Sequence, residues 1–304
     1  MSAVGLPDTF FTAAPHWRWL VILYFFVGGI AGGSYLLAVL ADFFGDPGDR
    51  RLARVGYGIA FVAVVISGII LVVDLGRPLR FWHMLLQSKT GWPMFKPWSP
   101  MSVGSWALLL FGGVSFLSCL AAFAEAGRLP WTGLSRLRPP GVLGSVVAIV
   151  GGLLASFVAG YTGVLLSVTN RPVWADTWLL GLAFLVSAAS ISAALLILVT
   201  YPRGWLSQGV YALRRFDAWV LVLELIVIVA LIGSLGPVAR VWLSAWGAFL
   251  LAVVILGIVV PLVLQRRRWF SGRLATQLAA VLVLVGGFLL RVVLVLSSES
   301  VGVA

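Results

Sequence analysis

Polar positions in this chain are sparse and bunched. Between them run eight largely uncharged apolar stretches, at 18–41, 55–74, 102–124, 141–167, 176–200, 217–236, 241–264 and 274–296. Each is long enough to cross the hydrocarbon core of a bilayer, which takes roughly 20 apolar residues at about 1.5 Å apiece. Runs such as FVAVVISGIILVV, residues 61–73, lack the strict alternation of a membrane β-barrel and offer no polar lumen face. The pattern predicts an all-α integral membrane protein of about eight transmembrane helices. Pro261 falls near the end of the seventh stretch, where neighbouring helices can satisfy the carbonyl it frees and a local kink is tolerated.

Composition agrees, since 61% of the 304 residues are hydrophobic and only 10% charged, too little polar surface to coat a water-soluble globule of this size. The net charge of +11 does not read as a nucleic-acid footprint, because the 21 Lys and Arg are scattered among short loops. They act as topology signals instead. Thirteen of them fall in the loops after the first, third, fifth and seventh stretches, which the positive-inside rule places in the cytoplasm, leaving both termini on the outer, periplasmic side. The first apolar run has neither a basic flank before it nor a small-residue cleavage site after it, so it is expected to stay in the mature protein. One Cys (Cys119, read as a packing residue) and two His (His16, His83) are too few for a cluster needing four thiolates or for a pair of bis-His haems. Redox chemistry in this protein would use a diffusible or partner-held carrier, with no metal site of its own.

Three features stand out on the predicted outer side. Residues 75–101 form a long loop rich in Pro and aromatics, carrying Arg77, Arg80, Lys89 and Lys96. Ten of the 14 tryptophans fall on that side, reading either as a thick lipid-facing girdle or as a docking platform for another subunit. In the first stretch Gly28 and Gly32, like Gly29 and Gly33, stand four residues apart, a spacing that admits a second helix backbone or a flat ligand.

Three patterns occur there in order: WRWLVILYFFVGGIAGGSYLLA at 17–38, then DLGRPLRFWHML at 74–85 leading to WSPMSVGSWALLLFG at 98–112, then YTGVLLSVTNRPVW at 161–174. Together they resemble the NrfD and polysulfide reductase membrane-subunit family, across roughly residues 16–180 and more loosely beyond. The resemblance implies two four-helix bundles, here 1–175 with the long outer loop and 176–304. It implies a haem-free site for menaquinone or ubiquinone in the first bundle of a subunit in the bacterial cytoplasmic (inner) membrane. On the outer face it implies a four-cluster, ferredoxin-like iron–sulfur subunit, which serves a catalytic, often molybdopterin-containing, subunit.

A quinone pocket needs hydrogen-bonding groups at two oxygens, an enclosure for a flat ring and a proton source. By the resemblance Tyr161 of Tyr161-Thr162-Gly163 is the quinone hydrogen-bond donor; the plain alternative is an interfacial Tyr that anchors its helix. Some family members carry His where this sequence has Tyr24, which leaves either Tyr24 or a His16 bending back from the surface as second ligand, with Trp19 at the aromatic mouth. The DLGRP segment borders the cavity in the family, which puts Asp74 and Arg77 among the quinone-binding candidates, with Asp74 either a proton carrier or half of a local ion pair with Arg77. Arg80, Trp82, His83, Trp92 and Arg171 are candidates for contact with the docked subunit, Trp82 and Trp92 alternatively walling the cavity mouth or packing the loop.

Ionisable groups inside later stretches are functional candidates by default. Asp217 and Glu224, seven residues apart on nearly one face, suggest a proton route from the inner side. Arg291 in the eighth stretch is predicted to lie at a different depth from Glu224, too far for a direct pair. The competing functional readings are an ion-translocating or secondary-transporter subunit without quinone chemistry, and a passive anchor.

Overall fold

The computed structural model describes residues 17, 19–201, 208–266 and 273–300, and these fold into helices with a single β-bridge between Leu86 and Pro93. The helices are α1 (Trp19–Phe44), α2 (Arg50–Asp74), α3 (Pro100–Glu125), α4 (Val142–Ser167), α5 (Leu180–Thr200), α6 (Gln208–Ser234), α7 (Ala245–Val254), α8 (Val260–Arg266) and α9 (Arg273–Leu296). A π-helical turn, Ile255–Val259, joins α7 to α8 in one rod, so eight helical segments are long and apolar enough to cross a membrane. That turn has a local cause. Pro261 has no N–H to give to the carbonyl four residues back, and the extra residue per turn absorbs the loss.

Two predicted boundaries shift. The second helix begins at Arg50 and the sixth at Gln208, because charged residues such as Arg51, Arg54, Arg214 and Arg215 end an apolar run without ending a helix. Backbone hydrogen bonding continues past the hydrocarbon edge, and long basic side chains extend into the interface.

Helices α1 to α4 pack in a ring, while α5, α6, the α7–α8 rod and α9 form a second set; α1 and α5 lie between them and pack on both. The contact is intimate because α1 is glycine-rich. A Cβ on Gly32 would strike the Ala155 carbonyl of α4, and one on Gly33 would strike the Ala188 carbonyl and Ser192 hydroxyl of α5. Of the two readings of these glycines, helix packing therefore holds at both positions.

At the arginine-rich end the links are pinned by charge. Arg138 is buried and grips both carboxylate oxygens of Asp42, at 2.8 and 2.6 Å, as well as Glu125, while Arg50 pairs with Glu125 at 2.7 Å. Asp49, also buried, accepts the Gly209 N–H at 3.0 Å, satisfying a donor that the first turn of α6 leaves open.

Candidate functional site

Toward the opposite end, α1 and α4 bring two phenols into electrostatic reach of each other. Tyr161 of α4 turns toward α3, where Gly104 lacks the side chain that would fill the space taken by the tyrosine ring. Its hydroxyl donates to the Pro100 carbonyl at 2.6 Å and its ring stacks on Phe157 with centroids 5.4 Å apart. Pro100 can sit there because it opens α3, a position whose missing N–H costs nothing, after Ser99 has capped the helix. Tyr24 of α1 is buried and close enough to Tyr161 to interact electrostatically.

Gly28, one turn on from Tyr24, marks the centre of this region. A Cβ there would lie 3.6 Å from the Tyr24 ring and 3.7 Å from Ser67 Oγ of α2, so the three meet without another residue between them. Ser67 is fully buried, and its hydroxyl has no hydrogen-bond partner among the described residues. An unmet hydroxyl in an apolar interior costs about 1–3 kcal/mol. Tyr24 and an unmet hydroxyl meeting at Gly28, with a second phenol in electrostatic reach, suit a ligand carrying polar oxygens.

The other candidates lie further out. Asp74 ends α2 two turns beyond Ser67 and is exposed, like Arg77; no ion pair joins them among the described residues, so the local pair expected from their spacing does not form. Trp19 is about half exposed at the mouth of α1, and His16 lies outside the described residues. The loop over 75–101 is ordered by a helical turn, Pro78–Met84, and by paired bonds from Gln87 N–H to the Trp92 carbonyl and Met94 N–H to the Leu85 carbonyl. Trp106 of α3 fastens it by donating to the Met94 carbonyl at 3.1 Å. The loop leaves Arg80 and Trp92 exposed, and stacks His83 on Trp82 at 3.8 Å. Trp92 and Trp98 are 73% and 78% exposed, and Trp178 beyond α4 is 80% exposed, a broad aromatic surface on this face.

Arg171 departs from the expectation. It is buried, not presented to a neighbour, with its guanidinium 5.7 Å from the Trp174 ring. Trp174 in turn stacks on Trp17 and donates to the Leu294 carbonyl at 2.8 Å, so this corner locks α1, the α4–α5 link and α9. The Arg packs there because its planar cation can lie against an aromatic face while its stem is covered.

A second set of buried polar groups lines the other helices. Glu224 accepts from Ser190 at 2.7 Å and lies within hydrogen-bonding reach of Ser187, which also accepts from Arg291 Nη1 at 3.1 Å. Arg291 is completely buried; its Nε donates to the Phe25 carbonyl of α1 and its Nη2 points at Gly29 without a partner among the described residues. Glu224 and Arg291 form no direct ion pair, but the difference in depth does not hold. Counted from Gln208 and Arg273, they lie about 24 and about 27 Å along their helices at about 1.5 Å per residue. Both side chains reach Ser187 of α5, and that shared partner sets them at one level. Nearer the arginine-rich end, Asp217 is buried and accepts from Gln265 at 2.7 Å.

Ser67, Gly104, Ser187 and Ser190 were not singled out by sequence. Ser67 shares a face with Asp74, seven residues on, and Ser187 and Ser190 stand one turn apart in an apolar helix; both spacings were visible without pointing to a role. No three His, Cys, Asp or Glu side chains gather as a metal-binding group among the described residues.

The family model described as "Polysulphide reductase, NrfD" matches residues 9–302. A polysulfide reductase chain of Wolinella succinogenes is 28% identical over 269 residues, which cover 82% of this sequence and 82% of its own. Protein NrfD of Escherichia coli is 27% identical over 278 residues, 82% of this sequence and 84% of its own. A shorter match, 24% over 107 residues, links 35% of this sequence to 23% of a selenate reductase subunit of Mesobacillus selenatarsenatis.

Proposed function

The chain belongs to the polysulphide reductase NrfD family, and from that premise we propose that it is the quinone-reactive membrane subunit of a reductase complex. It would exchange two electrons between membrane quinone, menaquinone or ubiquinone, and an iron–sulfur subunit docked on the aromatic face, itself feeding a catalytic subunit of molybdopterin type. The observation that carries this reading is the buried Ser67 hydroxyl, unmet among the described residues, beside Tyr24 at Gly28, with Tyr161 in electrostatic reach of Tyr24.

Each residue has work that its geometry permits. With its proton committed to the Pro100 carbonyl, Tyr161 offers its oxygen as acceptor to a quinol hydroxyl; to serve a quinone carbonyl, it re-aims the same proton. Ser67 supplies a further donor or acceptor, Tyr24 closes the wall, and exposed Asp74 takes protons toward the aromatic face. Arg80, Trp82, His83 and Trp92 form part of the docking surface, together with Trp98 and Trp178. We place this surface and both termini outside the bacterial inner membrane, following the excess of Lys and Arg in the opposite loops.

Asp217, Glu224 and Arg291 lead from the arginine-rich end to the Phe25 carbonyl beside Tyr24. We assign them a proton route. The rise from Asp217 to Glu224 is about 10 Å, a gap that the route needs ordered water to bridge. The same series of groups favours, as a second reading, an ion-translocating subunit without quinone chemistry.

The test is Tyr161→Phe in the intact complex. Loss of a hydrogen bond worth about 1.5–3 kcal/mol to a developing charge predicts at least a tenfold fall in quinone-linked turnover, with the dye-linked activity of the catalytic subunit unchanged. Wild-type quinone kinetics would remove Tyr161 from the reaction, and purified wild-type protein that binds no menaquinone would favour the second reading.

A further inference from the structure

A cavity of about 920 Å³ runs along α1 and α2 from the turns next to Gly28 and Ser67 to the arginine-rich end. Its long wall comes from α2, where Val55, Ile59, Val62 and Ile66 recur at three- and four-residue steps in one stripe, with Val27 and Ile30 of α1 facing them. Arg51 continues that stripe one turn toward the helix start, and Arg54 and Arg128 complete the rim. The wall from Arg51 to Ile66 measures about 22 Å at about 1.5 Å per residue, longer than one leaflet's half of a hydrocarbon core of about 30 Å.

The rim cations lack counter-charges. Arg54 Nε is held by the Ala122 carbonyl at 3.0 Å and Arg128 lies 5.7 Å from the Phe123 ring centroid, yet none of the three forms an ion pair among the described residues. The nearby carboxylates, Asp42 and Glu125, are committed to Arg138 and Arg50. Arg54 therefore sits among the like charges of Arg51, Arg128 and Arg138 with only Glu125 opposing them. Basic side chains in the first turns of α2 also oppose the helix dipole, which favours an anion there.

We propose that the groove between α1 and α2, rimmed by Arg51, Arg54 and Arg128, is a binding site for an anionic membrane phospholipid. The phosphate head lies among the three guanidinium groups and an acyl chain runs down the Val55–Ile66 stripe. A soluble anion leaves the apolar wall bare, and a neutral quinone ring has no use for three cations. Only an amphiphile with a negative head satisfies both, as basic pockets between membrane helices do for cardiolipin and related heads.

The purified full-length protein, delipidated and returned to detergent, is titrated with dioleoyl phosphatidylglycerol, tetraoleoyl cardiolipin or dioleoyl phosphatidylcholine, and bound lipid is counted by native mass spectrometry. The two anionic lipids are expected to bind at least tenfold more tightly than the choline lipid. Arg51→Gln with Arg128→Gln, which leaves the Arg54 bond to Ala122 intact, should abolish that preference. Gly58→Phe, which fills the groove beside Phe123, should weaken anionic-lipid binding at least tenfold without touching the rim, so the idea stays exposed even if the double variant fails to fold. Equal binding of all three lipids to the wild type, anionic-lipid binding of wild-type strength in Gly58→Phe, or displacement of the bound lipid by menaquinone would each overturn the assignment.

Discussion

A phenol has one proton to give, and Tyr161 holds its proton on a main-chain carbonyl only because Gly104 makes room for the ring. The tyrosine was legible from its motif; the glycine was not, since a glycine in an apolar helix looks like any packing residue until its neighbour is known. Ser67 escaped for a related reason: one hydroxyl in an apolar run is ordinary, and only its place beside Tyr24 at Gly28 makes it conspicuous. A Cβ at residue 104 would occupy space now filled by the Tyr161 ring and hydroxyl. Gly104→Ala is therefore expected to displace Tyr161 and to lower quinone-linked turnover at least tenfold, with the helical circular dichroism unchanged. Full activity in that variant would mean that the ring can move aside at no cost to the reaction.

The helices themselves were predictable because lipid leaves the backbone no alternative, and every apolar stretch had to close its own hydrogen bonds. Their ends were less so, as Arg50 and Gln208 show, because the rule that marks the hydrocarbon edge is silent about where a helix stops in water. The glycines of α1 read first as a helix contact and second as room for a ligand, and the structure divides them: Gly32 and Gly33 meet neighbouring backbones, whereas Gly28 stays open to ordinary contact distances. Gly33→Leu should force α1 from α5 and lower stability by roughly 1–3 kcal/mol or more, the usual range for overpacking a close contact. Gly113→Leu on α3, where a Cβ meets nothing within 4 Å, serves as its control. The thermal transition in detergent should fall for the first and hold for the second, and equal behaviour would show that α1 and α5 are less tightly joined than their geometry indicates.

Across the whole molecule the two ends are built for different tasks. One is closed by the buried Arg138 guanidinium, held between Asp42 and Glu125; the other leaves Trp92, Trp98 and Trp178 uncovered. Between them, Arg291 reaches from α9 to the Phe25 carbonyl of α1, a completely buried cation whose desolvation the surrounding hydroxyl, carbonyls and aromatic rings only partly offset. Such a group adds little to stability that an apolar residue would not, which directs attention to charge movement. Glu224→Gln preserves the size of the side chain and an oxygen for Ser190 to bond, but removes the exchangeable proton. In vesicles holding the intact complex and a pH-sensitive dye, this variant should cut proton uptake from the arginine-rich side at least tenfold while leaving menaquinone binding and the thermal transition near wild type. Unchanged uptake would end the case for Asp217 and Glu224 as a route. Lost uptake together with lost binding would instead make Glu224 a structural brace for Arg291 and, through Phe25, for the helix turn that carries Tyr24.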